Sequence, residues 1–260
     1  MRLVPGARGL TRAELDITDE AAVREVVRSA DLVYNCAAYN AVDRAESEPE
    51  VAQAINAEAP GMIAALCREA GARLVHFSTN YVFDGSGDRA WRESDDPRPL
   101  GAYARSKLEG ETRVLAELPA ALVIRGAGLF GRAGVGSAVK GGSFPERIVA
   151  RARSGEPVRV VADQRLNPTY TPHLAAAAVA AVADGLAGVV HLAAAGCCSW
   201  WEFAAEALRV AGLDAPAEAV TTADFPAAAA RPLNGCLESE RRPPLPDWRQ
   251  GLAEWAVSLS

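Results

Sequence analysis

RLVHFS (residues 73–78) is a mostly apolar run of strand length. A helix-length segment over 49–70 precedes it, and a proline-bounded loop and a further helix, carrying Tyr103 and Lys107, follow. The same alternation extends in both directions. Upstream, DEAAVREVVRSA (19–30) sets Val23, Val26 and Val27 at helical spacing behind a capping Asp19, and LVYNCAA (32–38) reads as the next strand. Downstream come the strand AALVIR (120–125), a helix near 144–154, the strand VRVV (158–161), a helix near 172–184 and the strand GVVHLA (188–193). Apolar strands separated by helices indicate a parallel sheet covered on both faces, so the expected fold is α/β, a Rossmann-like doubly wound parallel sheet. Ligands of such sheets sit beyond the carboxyl ends of the strands. Residues Ala37 to Asn40, Ser78 to Asn80 and Gly126 to Phe130 should therefore share one rim with the start of the Tyr103 helix. From residue 193 onward one helix, SWWEFAAEALRVAG, is followed by proline-rich turns and a short helix. The expected division is a Rossmann-like domain over 1–192 and a small substrate-binding lobe over 193–260.

Composition narrows the function. The chain has 260 residues, half of them apolar, and a formal net charge of -6 without any basic block, which argues against a nucleic-acid partner. No apolar run is long enough to span a membrane, and MRLVPGARG lacks the apolar stretch of a signal peptide, so a cytoplasmic location is expected. Five cysteines without C-x-x-C spacing suggest reduced thiols, with Cys197 and Cys198 as packing residues. The scattered histidines, His76, His173 and His191, give no zinc pattern, and no metal is expected.

The stretch GAYARSKLEGE (101–111) carries one of only two lysines in the chain, against twenty-five arginines. Tyr103 and Lys107 lie four residues apart, so on a helix both heads reach one ligand; the plainer reading is a solvated helix face with a packed tyrosine. A free phenol titrates near pH 10, and a neighbouring ammonium should draw it toward neutrality. Lysine adds a compact charge and three donors suited to a ribose diol, which arginine does not match. Ser78 or Thr79 would hold a substrate carbonyl against the tyrosine. The three groups together make a reduction site.

STNYVFDG (78–85), PLGAYARSKLEGE (99–111), ADQRLNPTYTPHLA (162–175), ARPLNG (230–235) and LPDWRQGL (245–252) closely resemble the dTDP-4-dehydrorhamnose reductase family, as does NCAAYNAVDRAESEPE (35–50). The resemblance runs in order from Leu10 to Leu252 and is more specific to the family than to the sugar. It implies an extended short-chain dehydrogenase that reduces a 4-keto sugar nucleotide, a dTDP-sugar, with NADPH or NADH; a homodimer is a candidate assembly, because apolar surface left bare by a missing first helix would favour association. It also implies roles. Tyr103 is the proton donor, Lys107 its helper and ribose ligand, and Thr79 the group that polarises the carbonyl. Asn80 is a substrate contact, neutral where the family has aspartate. Asp16 and Ile17 flank the adenine, and Ala38, Tyr39, Asn40 and Phe77 wall the cofactor groove, Asn40 standing where threonine is common.

Two departures from the family stand out. Gly128 occupies the position of a tryptophan that stacks on the sugar, so the platform is missing or comes from another residue, and Gly128→Trp is expected to restore it. The surrounding GAGLFG (126–131) fits G-x-G-x-x-G but precedes a glycine-rich loop, not an amphipathic helix, and is read as a decoy. The second departure lies at the start. MRLVPGARG resembles the first strand and the first two cradle glycines, Gly6 and Gly9, yet LTRAELDITD follows at once, without the helix whose amino end faces the pyrophosphate. The expectation is half a cofactor cradle, an N-terminally incomplete sheet and weak NADPH binding, or else a start placed inside the first helix. A non-catalytic protein of the same fold is the alternative reading, and an epimerase a weaker third.

Overall fold

The computed structural model describes residue 4, residues 6–132 and residues 142–257. Helix α1 (Glu20–Val27) begins where the Asp19 carboxylate accepts the Ala22 N–H, as its sequence suggested. Strand β1 (Leu32–Asn35) follows. The expected 49–70 helix is continuous but not uniform: α2 (Pro49–Gln53) widens into a π turn over Ala54–Glu58 before α3 (Ala59–Ala70). Strand β2 (Arg73–Thr79), helix α4 (Ala102–Glu117) and strand β3 (Leu122–Gly126) complete the core unit, and the strand Gly188–His191 joins it later.

These four strands form one parallel sheet in the order β1, β2, β3, Gly188–His191, with Thr79 level with Gly126 at the carboxyl end. Side chains alternate between its faces, as a two-period strand requires. Leu74 and Val123 pack with Val23 and Val27 of α1, Ile63 and Leu66 of α3 and Val114 of α4. Val75, Leu122, Ile124 and Val190 point the other way, onto Leu174, Ala178 and Val182 of the Thr171–Ala183 helix. Both faces are therefore dry, which is why the strands read as continuous apolar runs. The π turn and α4 meet so closely that a Cβ at Gly110 would lie 2.1 Å from the Asn56 carbonyl oxygen. Only glycine fits at that crossing.

VRVV was expected to belong to the alternating sheet. It instead pairs in parallel with Ala217–Val220, apart from the main sheet. Its Val158 and Val160 pack with Ile148 of the Phe144–Arg153 helix and with Ala204 and Leu208 of the Trp200–Val210 helix. Strand propensity marks a strand but not its partner, and here the available apolar partner was on a late helix. A second aromatic cluster joins Phe130, Phe203, Trp248, Leu252 and Trp255.

The expectation of reduced thiols is also corrected. Cys197 and Cys236 form a disulfide with a Cα–Cα distance of 5.9 Å across 39 residues. Their loops meet because Arg165–Leu166 pairs with Cys198–Ser199 on one side and Asn234–Gly235 on the other. Spacing along the chain carries no trace of that pairing. Cys198 is buried in the aromatic cluster, in keeping with a packing role.

At the start of the chain, residues 1–3 and 5 lie outside the described residues, and with them most of the expected first strand. From Gly6 to Asp19 the backbone makes turns, Ala7 N–H donating to the Val4 carbonyl at 3.1 Å and Leu15 N–H to that of Thr11 at 2.9 Å. Ile17 packs with Leu15 and Val33 against the α1 cluster. Among the described residues no helix is long and apolar enough to cross a membrane.

Phe203 is fully buried, with ring centroids 5.1 Å from Phe130, 5.3 Å from Phe144 and 5.8 Å from Trp248. Phe203→Ala should cost about 3–5 kcal/mol, read as a lower denaturation midpoint in urea. A loss below about 1 kcal/mol would mean that the aromatic cluster collapses around the gap.

Candidate active site

The carboxyl end of the sheet and the first turns of α4 meet at Thr79, Tyr103 and Lys107. Helix α4 starts at Ala102, whose N–H donates to the Glu46 carboxylate at 2.7 Å, an anion at the positive end of the helix. Tyr103 follows in the first turn and Lys107 one turn later, on the same buried face. Ser106, between them, donates to the Tyr103 carbonyl at 2.9 Å and accepts from Asn56 Nδ2 at 3.0 Å. Asn56 also receives the Tyr39 N–H at 2.8 Å, so a residue of the π turn ties α4 to the loop after β1. That loop holds Ala38, Tyr39 and Asn40. The loop therefore stands beside the helix of the tyrosine.

Ser78 and Thr79 have different partners. Ser78 Oγ donates to Glu111, away from the tyrosine. Thr79, 8% exposed, interacts through its hydroxyl with the Tyr103 phenol. Asn80 donates to the Gly235 carbonyl at 2.9 Å and is 4% exposed, so its amide ties the end of β2 to the Asn234–Gly235 strand.

The electrostatics differ from the expectation. Burial pushes the Tyr103 phenol up to about 12, with the Thr79 hydroxyl pulling the other way. Lys107 does not set this value. Its ammonium donates to the Phe77 carbonyl at 2.6 Å and is only 2% exposed. Burial brings Lys107 down to about 8, opposed by the Glu111 charge. His76, buried beside it and accepting from Asn35 Nδ2 at 3.2 Å, is held well below the usual imidazole range by burial first and by Lys107 second.

Gly128 cannot be a vacated platform. Its φ of 53°, together with a Cβ position 2.4 Å from Leu166 Cδ1 and 3.3 Å from the Asn167 carbonyl oxygen, leaves no room for an indole. The expectation for Gly128→Trp is therefore overturned. Leu129 and Phe130 pair with Thr169 and Tyr170, so GAGLFG runs into a short strand. The loop expected after it, 133–141, lies outside the described residues.

An aromatic does stand at the site, from a different segment. Tyr81 meets Tyr103 edge to face at 5.9 Å and interacts with Arg231, whose guanidinium grips Asp43 with both nitrogens at 2.6 and 3.0 Å. Tyr81 also lines a cavity of about 710 Å3 with Arg147, Arg159, Trp200, Phe225 and Arg231. Tyr81, Asn56, Glu46, Glu111 and Arg231 were not singled out from the sequence. Arg231 in ARPLNG and Tyr81 in STNYVFDG lay inside quoted motifs; the others carried no local signal.

The residues present fit a nicotinamide cofactor at its ribose end, where Lys107 keeps two donors beyond the one used by Phe77. The candidate phosphate contacts Gly6 and Gly9 lie before α1. Gly6 has a φ of 77° with open space around it, Gly9 follows in the same turn segment, and the α1 amino end is taken by Asp19. Asp16 is exposed and accepts from the Thr18 N–H at 3.0 Å and hydroxyl at 2.8 Å.

A Rossmann-like sheet whose rim carries a hydroxyl, a phenol and an ammonium defines a reductase of the short-chain dehydrogenase class. The chain belongs to the dTDP-4-dehydrorhamnose reductase family: the model of the RmlD substrate binding domain matches residues 6–259. It is 40% identical over 259 residues to a dTDP-4-dehydrorhamnose reductase of Mycolicibacterium smegmatis, covering 96% of this chain and 77% of that one. It is 38% identical over 250 residues to a probable dTDP-4,6-dihydroxy-2-methyloxan-3-one 4-ketoreductase of Streptomyces antibioticus, covering 92% and 82%. Among solved structures, a dTDP-4-dehydrorhamnose reductase of Bacillus anthracis in complex with NADP superposes with a TM-score of 0.90 at 31% identity, covering 96% and 89%.

Two outcomes follow from this geometry. Gly128→Ala should destabilise the fold by about 1–3 kcal/mol through strain at positive φ and overlap with Leu166, seen as a lower melting temperature. In the free enzyme, kcat/KM for ketone reduction should fall as pH rises through about 8, where Lys107 loses its proton while Tyr103, near 12, keeps its own. A flat profile up to pH 10 would contradict this assignment of the alkaline limb.

Proposed function

We propose that this protein uses NADPH to reduce the 4-keto group of a dTDP-linked 6-deoxy sugar, as in dTDP-L-rhamnose or related deoxysugar biosynthesis. The observation that carries the reading is the meeting of Thr79, Tyr103 and Lys107 at one rim under Tyr81 and beside the arginine-lined cavity. The non-catalytic alternative is not favoured, because the relatives are reductases and the three rim groups are intact.

When bound, NADPH supplies the hydride. The Thr79 hydroxyl donates to the substrate carbonyl oxygen and polarises it. Tyr103 then gives its phenolic proton to that oxygen as negative charge develops there. An alkoxide is a far stronger base than a phenolate, so the transfer is downhill even from a phenol near 12. Once the product hydroxyl has formed, the single Thr79 proton turns to the phenolate, and the Lys107 charge favours the same anion more weakly from its place on the Phe77 carbonyl. Lys107 also turns its remaining donors toward the ribose. Asp16 and Ile17 take the adenine end, Gly6 and Gly9 the phosphate side, and Ala38, Tyr39, Asn40 and Phe77 the groove between. In the cavity, Arg147, Arg159 and Arg231 offer positive charge to the sugar-linked diphosphate, and Trp200 and Phe225 offer faces to the base. In this reading 1–192 carries the cofactor and 193–260 the substrate, with 144–161 packed on the second part. The setting is the cytoplasm.

The test is turnover of a dTDP-4-keto-6-deoxyhexose followed by loss of reduced-nicotinamide absorbance. Tyr103→Phe should abolish turnover while leaving NADPH binding near wild type. Lys107→Arg should lose most of kcat/KM, since a buried slot with one 2.6 Å bond to Phe77 does not admit a guanidinium. Near-normal turnover in either variant would remove that residue from the mechanism.

A further inference from the structure

Behind the rim lies a buried charged cluster that the proposed reaction does not use directly. Glu111 is one turn beyond Lys107 on the same face of α4, and both are buried, at 3% and 2% exposure. Its carboxylate accepts from Arg125 Nη2 at 2.7 Å and Nε at 3.0 Å, and from the Ser78 hydroxyl. Ser78 and Arg125 are paired across β2 and β3, one residue before Thr79 and Gly126. Lys107, meanwhile, holds the carbonyl of Phe77, the residue before Ser78. Successive residues of β2 are thus bound by successive turns of α4.

An ion pair this deep is weak evidence for stability, because removing both charges from water costs about as much as their attraction returns. Its placement is the informative feature. A carboxylate used only to hold two strands together could stand anywhere along them, but this one stands a helical turn from the working ammonium. We propose that Glu111 is a positioning residue for the reduction: bonded to Ser78 and Arg125, it locks the end of β2 against α4 and faces Lys107 with the negative charge that keeps the ammonium in place. The inference rests on Tyr103 and Lys107 being the reduction pair.

The other groups facing Lys107 do not take over this task. Tyr103 on its own helix is neutral until about 12. His76 from β2 is held uncharged well below neutrality. The Cys36 thiol after β1 contributes less than Glu111, and the Arg125 charge from β3 is bonded to Glu111 itself. Glu111 is the leading counter-charge to the ammonium.

Because the chain has only two lysines, Lys107 and Lys140, its titration can be read without turnover. Protein labelled with 13C at lysine Cε would show two signals, assigned with Lys107→Arg. In the wild type the Lys107 signal should titrate near pH 8. Glu111→Gln should lower that midpoint by about one unit, and the alkaline limb of kcat/KM should move down with it. Glu111→Asp, which keeps the charge, should recover most of both. If Glu111→Gln does not fold, Arg125→Gln serves with the opposite sign, since it leaves the Glu111 charge unneutralised and should raise the midpoint. An unmoved Lys107 midpoint in the folded variant, or a shift that Glu111→Asp fails to reverse, would overturn the proposal. A wild type that titrates as expected, shifts in Glu111→Gln and yet reduces no dTDP-ketosugar would support the coupling and count against the proposed function alone.

Discussion

A lysine with 2% of its surface exposed keeps its charge only where polar groups replace the water it has lost. Much of this molecule is arranged around that requirement. The ammonium of Lys107 needs an acceptor, and the Phe77 carbonyl near the end of β2 provides one. It needs a nearby negative charge, which Glu111 supplies from the next turn of the same helix. Glu111 in turn cannot sit alone in the interior, so Arg125 and Ser78 satisfy its oxygens. Each partner brings an element with it: α4, β2 and β3 are drawn to one point by the chain of buried charges.

That point is reachable only because the helices over it approach closely. Glycine at 110 lets α4 lie against the Asn56 backbone, and the π turn swings the Asn56 amide toward Ser106 and Tyr39. π turns of this kind occur often at functional sites because they displace a side chain from the regular helical face. Here the displaced side chain connects the loop after β1 to the helix of the tyrosine.

Residues 231–237 complete the rim from the other side. Asn80 holds Gly235, Arg231 holds Asp43, and Tyr81 stands between the phenol of Tyr103 and the arginine-lined cavity. Asn167 braces the same region, donating to the Ala194 and Gly196 carbonyls and accepting the Leu237 N–H at 2.6 Å. None of these contacts is large in area. They hold residues 231–237 against the segments after β1 and β2.

By itself the sequence determined what depends on local pattern. The parallel sheet was legible because strands buried on both faces must be apolar throughout, as in RLVHFS and AALVIR. The Tyr103 and Lys107 pairing was legible because four residues make one turn, and family motifs pointed to Thr79. Tertiary structure alone decided what depends on distance between distant segments. It paired VRVV with Ala217–Val220 and joined Cys197 to Cys236. It also set Gly128 against Leu166, leaving no room for the indole that the family motif places there. The tyrosine's acidity belongs here too: the sequence showed a neighbouring ammonium, but burial outweighs that charge, and the ammonium is already engaged with Phe77. Neighbours along the chain can be read from the order of residues, whereas desolvation is a property of everything packed around a group.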